Sequence, residues 1–148
     1  MPWHIQKNYD ELRDLKPISK KDEISWITSN QKRHLGQKSR MAFLEYLQRQ
    51  QYAFHLYGRG FQVVADKYDV LFPFKYSIAI ENFFCPDYWT EKITDCFLSW
   101  TMPIYAGATN IKDYFPEEAM ILIDPNDPKE ALEIIQEARA REKWHKNL

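Results

Sequence analysis

Residues 76–107, YSIAIENFFCPDYWTEKITDCFLSWTMPIYAG, constrain the fold of this chain more than any other stretch. They read as strand, polar loop, helix, strand. Tyr76 to Glu81 is β-rich and ends in the polar pair Glu81-Asn82. Thr90 is an N-cap residue type, and Ile93, Phe97 and Trp100 recur behind it at helical spacing. Met102 to Tyr105 is a second apolar run, closed by Gly107. A unit of this length is a crossover between parallel strands, and such sheets bind ligands beyond the strands' carboxyl ends. Glu81, Asn82, Tyr88, Thr90, Glu91 and Lys92 all fall at that end. Core packing alone does not ask for so many polar residues at one junction.

The flanking sequence repeats the alternation. Residues 1–23 are polar and mixed, a linker or docking segment, with a short helix over Tyr9–Leu15 that Pro17 ends. Glu23–Ser29 predicts a strand, Gly36–Gln50 a helix with a Met41, Leu44, Leu47 stripe, and Ala53–Tyr57 the next strand. His55 on that strand reads as a packed, hydrogen-bonded core residue. Phe61–Phe74 predicts irregular structure with one helical turn. Asn110–Phe115 predicts a short helix and Ala119–Ile123 a strand. Asp127-Pro128 opens a last helix that buries Ala131, Ile134, Ile135 and Ala138. Five strands alternating with helices predict a three-layer α/β/α Rossmann-like sandwich, with a mostly parallel sheet in the order 2-1-3-4-5. Arg40 and the 81–92 loop then face each other across the crevice between the first and third strands.

A chain of 148 residues with this pattern is one domain after its leading segment, residues 24–148. Its net charge of −1 gives no general signal for nucleic acid. Lys32, Arg33, Lys38 and Arg40 cluster without an acid, which by itself describes a solvated face. Cys85 and Cys96 have neither metal-ligand spacing nor the number for a disulfide framework. No apolar run is long enough for a transmembrane helix. Gly58-Arg59-Gly60 lacks the third glycine of a dinucleotide fingerprint, since Val63 stands there, so it reads as a tight strand exit with positive φ.

The run AIENFFCPDYWTEKITDCF, followed by MPIYAG and DYFP, resembles the donor-binding signature of the α-1,3/1,4-fucosyltransferases, from roughly Ile24 to Asp124. Trp100, where a small residue is common, and Ala106, where Trp is frequent, depart from it. The resemblance implies the C-terminal half of a two-domain GT-B enzyme, a nucleotide-sugar (donor) binding domain. It implies that Arg40, Asn82, Tyr88, Glu91 and Lys92 hold GDP-fucose, with Glu81 in support. It also implies inverting transfer of fucose to a glycan acceptor, with a carboxylate base in an N-terminal acceptor domain or partner chain. No general base is assignable in the present sequence. Since eukaryotic members are anchored in the Golgi, the chain reads as a bacterial cytoplasmic or membrane-peripheral protein, or a Golgi-lumen fragment.

The chemistry expected of such a site is leaving-group stabilisation. Negative charge grows on the diphosphate as the glycosidic bond breaks. A helix N-terminus at Thr90 together with Arg40 and Lys92 stabilises it without a cofactor or metal, and the chain has no Asp-x-Asp triplet. Alone, Lys92 and Arg40 read as surface cations and Glu91 as a capping residue. A non-catalytic GDP-sugar-binding module is the alternative to transfer. A flavodoxin-like interaction domain is a third reading, against which the polar junction argues.

Overall fold

In the computed structural model, residues 3–16 and 18–146 are described. A single parallel sheet runs through the domain in the order β2-β1-β3-β4-β5. Its strands are β1 (Lys21–Ile27), β2 (His55–Tyr57), β3 (Phe74–Ile80), β4 (Met102–Ala106) and β5 (Ile121–Leu122), and every pairing is parallel. The helices are α1 (Tyr9–Asp14), α2 (Leu35–Arg49), α3 (Glu91–Leu98), α4 (Pro128–Ala140) and α5 (Lys143–Lys146). Both predicted features of the sheet, its direction and its order, hold. Pro17, expected to end the first helix, lies outside the described residues.

Two cores sandwich the sheet. On one face Met41, Phe43, Leu44 and Leu47 of α2 and Ala131, Leu132 and Ile135 of α4 pack against Ile24, Trp26, Tyr76, Ile78 and Ile104. On the other, Ile93 and Cys96 of α3 pack with Ala79, Tyr105, Ile111, Met120 and Ile5. Because β3 and β4 are covered on both faces, their side chains are buried in continuous runs rather than alternately. Full burial of each such aliphatic side chain contributes about 1.5–3 kcal/mol.

Several boundaries differ from the sequence reading, each for a local reason. β1 begins at Lys21 because the Lys21 amide joins the ladder by donating to Pro73 O at 2.8 Å. The expected strand at 119–123 shrinks to two residues, since Glu117–Ala119 coils into a 3-10 turn behind Pro116. Asn110 likewise precedes a 3-10 turn, Ile111–Asp113, rather than an α-helix. Trp100 is not on the core face of α3: the helix ends at Leu98, Trp100 takes φ +56°, and its ring is 37% exposed. The buried residues of α3 are Ile93, Asp95 and Cys96 instead. His55 is exposed, because β2 is an edge strand, and it bonds Glu23 Oε2 at 3.1 Å. Gly58 and Gly60 have φ +117° and +86°, as their strand-exit role requires.

Residues before β1 are folded onto the domain. Lys20 is 8% exposed, and its Nζ donates to Ser99 O at 2.7 Å, Thr101 Oγ1 at 3.3 Å and Phe74 O at 3.5 Å. Burial pushes its pKa down from 10.5 to about 7, with Cys96 opposing. Between about 7 and 10.5 the unfolded chain holds a proton that the folded chain releases, so this group makes stability rise with pH across that window. A Lys20→Met variant lacks the titration. Urea unfolding at about pH 7 and pH 9.5 should show the wild type gaining on the variant; equal shifts in both would remove Lys20 as the source.

Candidate functional site

β1 and β3 are neighbours whose chain connections leave in opposite directions across the sheet, which opens a crevice at their carboxyl ends. The loop after β3 and the start of α3 line one side, and α2 the other. Gly36 makes that approach possible: its amide donates to Asn82 O at 3.0 Å, and a Cβ there would lie 2.1 Å from the same oxygen.

Glu81 is the centre of the site. It is 0% exposed, and its Oε2 accepts from Thr90 N and its Oε1 from Thr90 Oγ1, each at 2.8 Å. Tyr105 Oη donates to Oε2 at 3.2 Å, and Lys92 Nζ stands 3.9 Å from Oε1. Thr90 meanwhile caps α3 by accepting from Lys92 N at 3.3 Å. Burial drives the Tyr105 hydroxyl far above its ordinary range, reinforced by the Glu81 charge, so it stays a donor.

Two cations flank this carboxylate. Arg40, on α2, is 3% exposed; its Nη1 donates to Asn82 Oδ1 at 3.0 Å and Ile80 O at 3.4 Å. Its Nε is buried without a hydrogen-bond partner. Burial lowers the pKa of Arg40, with Glu81 opposing, and burial likewise lowers that of Lys92, with Glu81 and Glu91 opposing. Arg40 also depresses Lys92, which places the two positive charges within electrostatic reach of each other. The helix start holds fewer open donors than expected, because Lys92 N and Ile93 N already bond Thr90.

Tyr88 is half-buried, its ring edge-on to Phe83 at 5.5 Å, and burial followed by Glu81 and Glu91 raises its pKa. The loop before it turns through Asp87 at φ +66°. Asp87 N donates to Asn110 Oδ1 at 2.7 Å, while Asp87 Oδ1 accepts from Asn110 Nδ2 at 2.8 Å and Tyr114 Oη at 2.6 Å. Those bonds, Tyr114 first, hold the Asp87 carboxyl below its usual range. Glu91 Oε1 lies beside His4 and Lys67.

The structure thus gathers Glu81, Thr90 and Lys92 into one bonded set, bonds Arg40 to Asn82 beside it, and sets Tyr88 and Glu91 at its rim. Sequence reasoning missed Tyr105 and Gly36; Gly107, expected at a tight strand exit, sits where a Cβ would meet Glu81 Cγ at 2.3 Å. A tyrosine in a central parallel strand was the available signal, since a buried hydroxyl needs a partner. Cavities of about 360 Å³, along Leu35, Gly36, Phe83 and Tyr88, and about 340 Å³, along Gly107, Thr109, Lys112 and Asp124, open beside the set. Among the described residues no group of His, Cys, Asp and Glu could hold a metal ion, and no helix is long and apolar enough to cross a membrane.

A parallel sheet flanked by helices on both faces, with Arg40, Lys92 and the start of α3 at its switch point, defines a Rossmann-like domain. Residues 17–146 match the C-terminal domain of glycosyltransferase family 10 (fucosyltransferase), and the chain belongs to that family. It is 37% identical over 68 residues to the GDP-fucose protein O-fucosyltransferase 3 of Danio rerio, a match taking in 45% of this chain and 15% of that protein. To the human 4-galactosyl-N-acetylglucosaminide 3-alpha-L-fucosyltransferase 9 it is 28% identical over 133 residues, 86% of this chain and 36% of the relative. The crystal structure of an α1,3-fucosyltransferase with GDP superposes with a TM-score of 0.71 at 25% identity, covering 86% of this chain and 38% of that one. The chain therefore spans little more than a third of its relatives at most.

Proposed function

We propose that this domain binds GDP-fucose and is the donor half of a fucosyltransferase, which transfers fucose with inversion to a hydroxyl of a glycan acceptor. The observation that carries this is the ion pair of Lys92 with buried Glu81 at the start of α3, with Arg40 bonded to the neighbouring Asn82. Lys92, 26% exposed beside the buried Glu81, is the accessible cation, and Arg40 adds a buried positive charge behind it. A diphosphate supplies the missing anion. As the glycosidic bond breaks, the charge developing on it meets cations already in place, with no reorganisation at the moment of reaction. The family, the GDP-fucose named for the zebrafish relative and the GDP of the superposed enzyme support this donor. The transferase names of the relatives favour transfer over a non-catalytic binding module. The acceptor and its general base belong to a further domain or partner chain. The bacterial cytoplasm or the Golgi lumen, where GDP-sugars are handled, is the setting this role fits.

Calorimetric titration with GDP, UDP and GDP-fucose tests the reading. GDP at about 100 times its Kd should add about 2.7 kcal/mol of stability, and UDP much less. EDTA should leave GDP binding unchanged, because side-chain cations carry the neutralisation. Stabilisation by UDP and not GDP would remove the donor assignment, and loss of binding in EDTA would remove the metal-free account.

A further inference from the structure

Residues 3–7 lie ahead of the family match, at 17–146, yet they are fastened beside the site. Ile5 is 1% exposed in the second core, with Trp3 packed against that core. His4 N donates to Asp95 Oδ1 of α3 at 2.8 Å, and Gln6 N to Asp66 Oδ1 at 3.1 Å, the cap of the 3-10 turn Lys67–Val70. The segment is therefore a strap joining that turn to α3.

The strap delivers a side chain to Glu91. His4 Nδ1 lies 3.4 Å from Glu91 Oε1, and Lys67 Nζ lies 4.0 Å from the same oxygen. Lys67 Nζ also stands 3.7 Å from Asp95 Oδ2, a buried oxygen without a hydrogen bond, so the lysine is held from two sides. Lys92, Tyr88 and the like-charged Asp95 complete the charged and titratable surroundings of Glu91. We propose that His4 and Lys67 are positioning residues for Glu91: they hold its Oε1 and leave Oε2 to accept a hydroxyl of the donor's ribose or sugar. The proposal rests on the donor-binding reading above. Its physical basis is pre-organisation, because a glutamate fixed before binding loses less rotamer freedom when the hydroxyl arrives.

Calorimetry of the full chain with inorganic pyrophosphate, GDP and GDP-fucose separates the contributions. His4→Ala should weaken GDP-fucose about threefold, the scale of a partly exposed pair, and leave pyrophosphate unchanged. His4→Gln, which keeps a side-chain N–H, should recover most of the loss. Lys67→Met should cost GDP-fucose about threefold, the scale of a part-exposed ion pair, and more than it costs pyrophosphate. In a Glu91→Ala background, His4→Ala should add nothing. Equal losses for GDP and GDP-fucose assign the hydroxyl to ribose, and a loss confined to GDP-fucose assigns it to the sugar. Unchanged or tighter binding of both GDP and GDP-fucose by His4→Ala, or an equal loss for pyrophosphate, overturns the positioning role while wild-type GDP binding upholds the donor site. A wild type that binds none of the three overturns both.

Discussion

Glu81→Ala should destabilise the domain by about 3–5 kcal/mol, the cost of removing one partner from a buried charged set. The carboxylate is fully buried and receives the Thr90 amide, the Thr90 hydroxyl and the Tyr105 hydroxyl, while Lys92 stands against it. Alanine leaves those donors unsatisfied and the positive charges of Lys92 and Arg40 without their common counter-charge. Glu81→Gln keeps one acceptor oxygen, but its amide nitrogen must face a Thr90 donor, so an intermediate loss is expected. Chemical denaturation of the three proteins measures the series. A cost below about 1 kcal/mol for alanine, the range of an exposed pair, would show that the site holds together without Glu81.

Lys92→Ala should weaken GDP by about 1.5–3 kcal/mol, a charged hydrogen bond lost in a shielded place, or roughly ten- to a hundredfold. The side chain is 26% exposed, and its Nζ stands 3.9 Å from Glu81 Oε1. Its removal should cost stability only about 1 kcal/mol, since Arg40 and three donated hydrogen bonds still compensate Glu81. That is more than a surface lysine would cost, which is how residue 92 reads in the sequence alone. Binding and unfolding measured on one preparation separate the two effects. GDP affinity equal to wild type would leave the crevice without its main accessible cation, because Arg40 is 3% exposed and its Nη1 is already bonded to Asn82 and Ile80.

The sheet was readable because each strand is an apolar run ended by a polar or glycine stop, and because helices alternate with strands. The α3 N-cap was readable for a similar reason: Thr90 needs only local partners, Lys92 N and Ile93 N. Trp100 misled because it continues the Ile93–Phe97 spacing, whereas the helix stops two residues earlier and the indole reaches back to Leu15 O at 3.1 Å. Burial of Asp95 had no local signal at all. Its partners are the His4 amide and Lys67, brought in by a strap and a turn that no periodicity marks. Glu91 shows the same limit: its place in the helix was legible, its neighbours His4 and Lys67 were not.

Asp87 joins distant parts of the sequence. Its left-handed backbone is held by bonds to Asn110 and Tyr114, so the CPDY and DYFP runs meet face to face in space. The shape of the loop that presents Tyr88 is thus encoded jointly, half of it more than twenty residues downstream. Evolution can then edit either run only with an eye to the other. A lineage that loses the carboxylate at 87 should also drift at 110 or 114, and the three positions should be inherited as a linked trait rather than as independent letters.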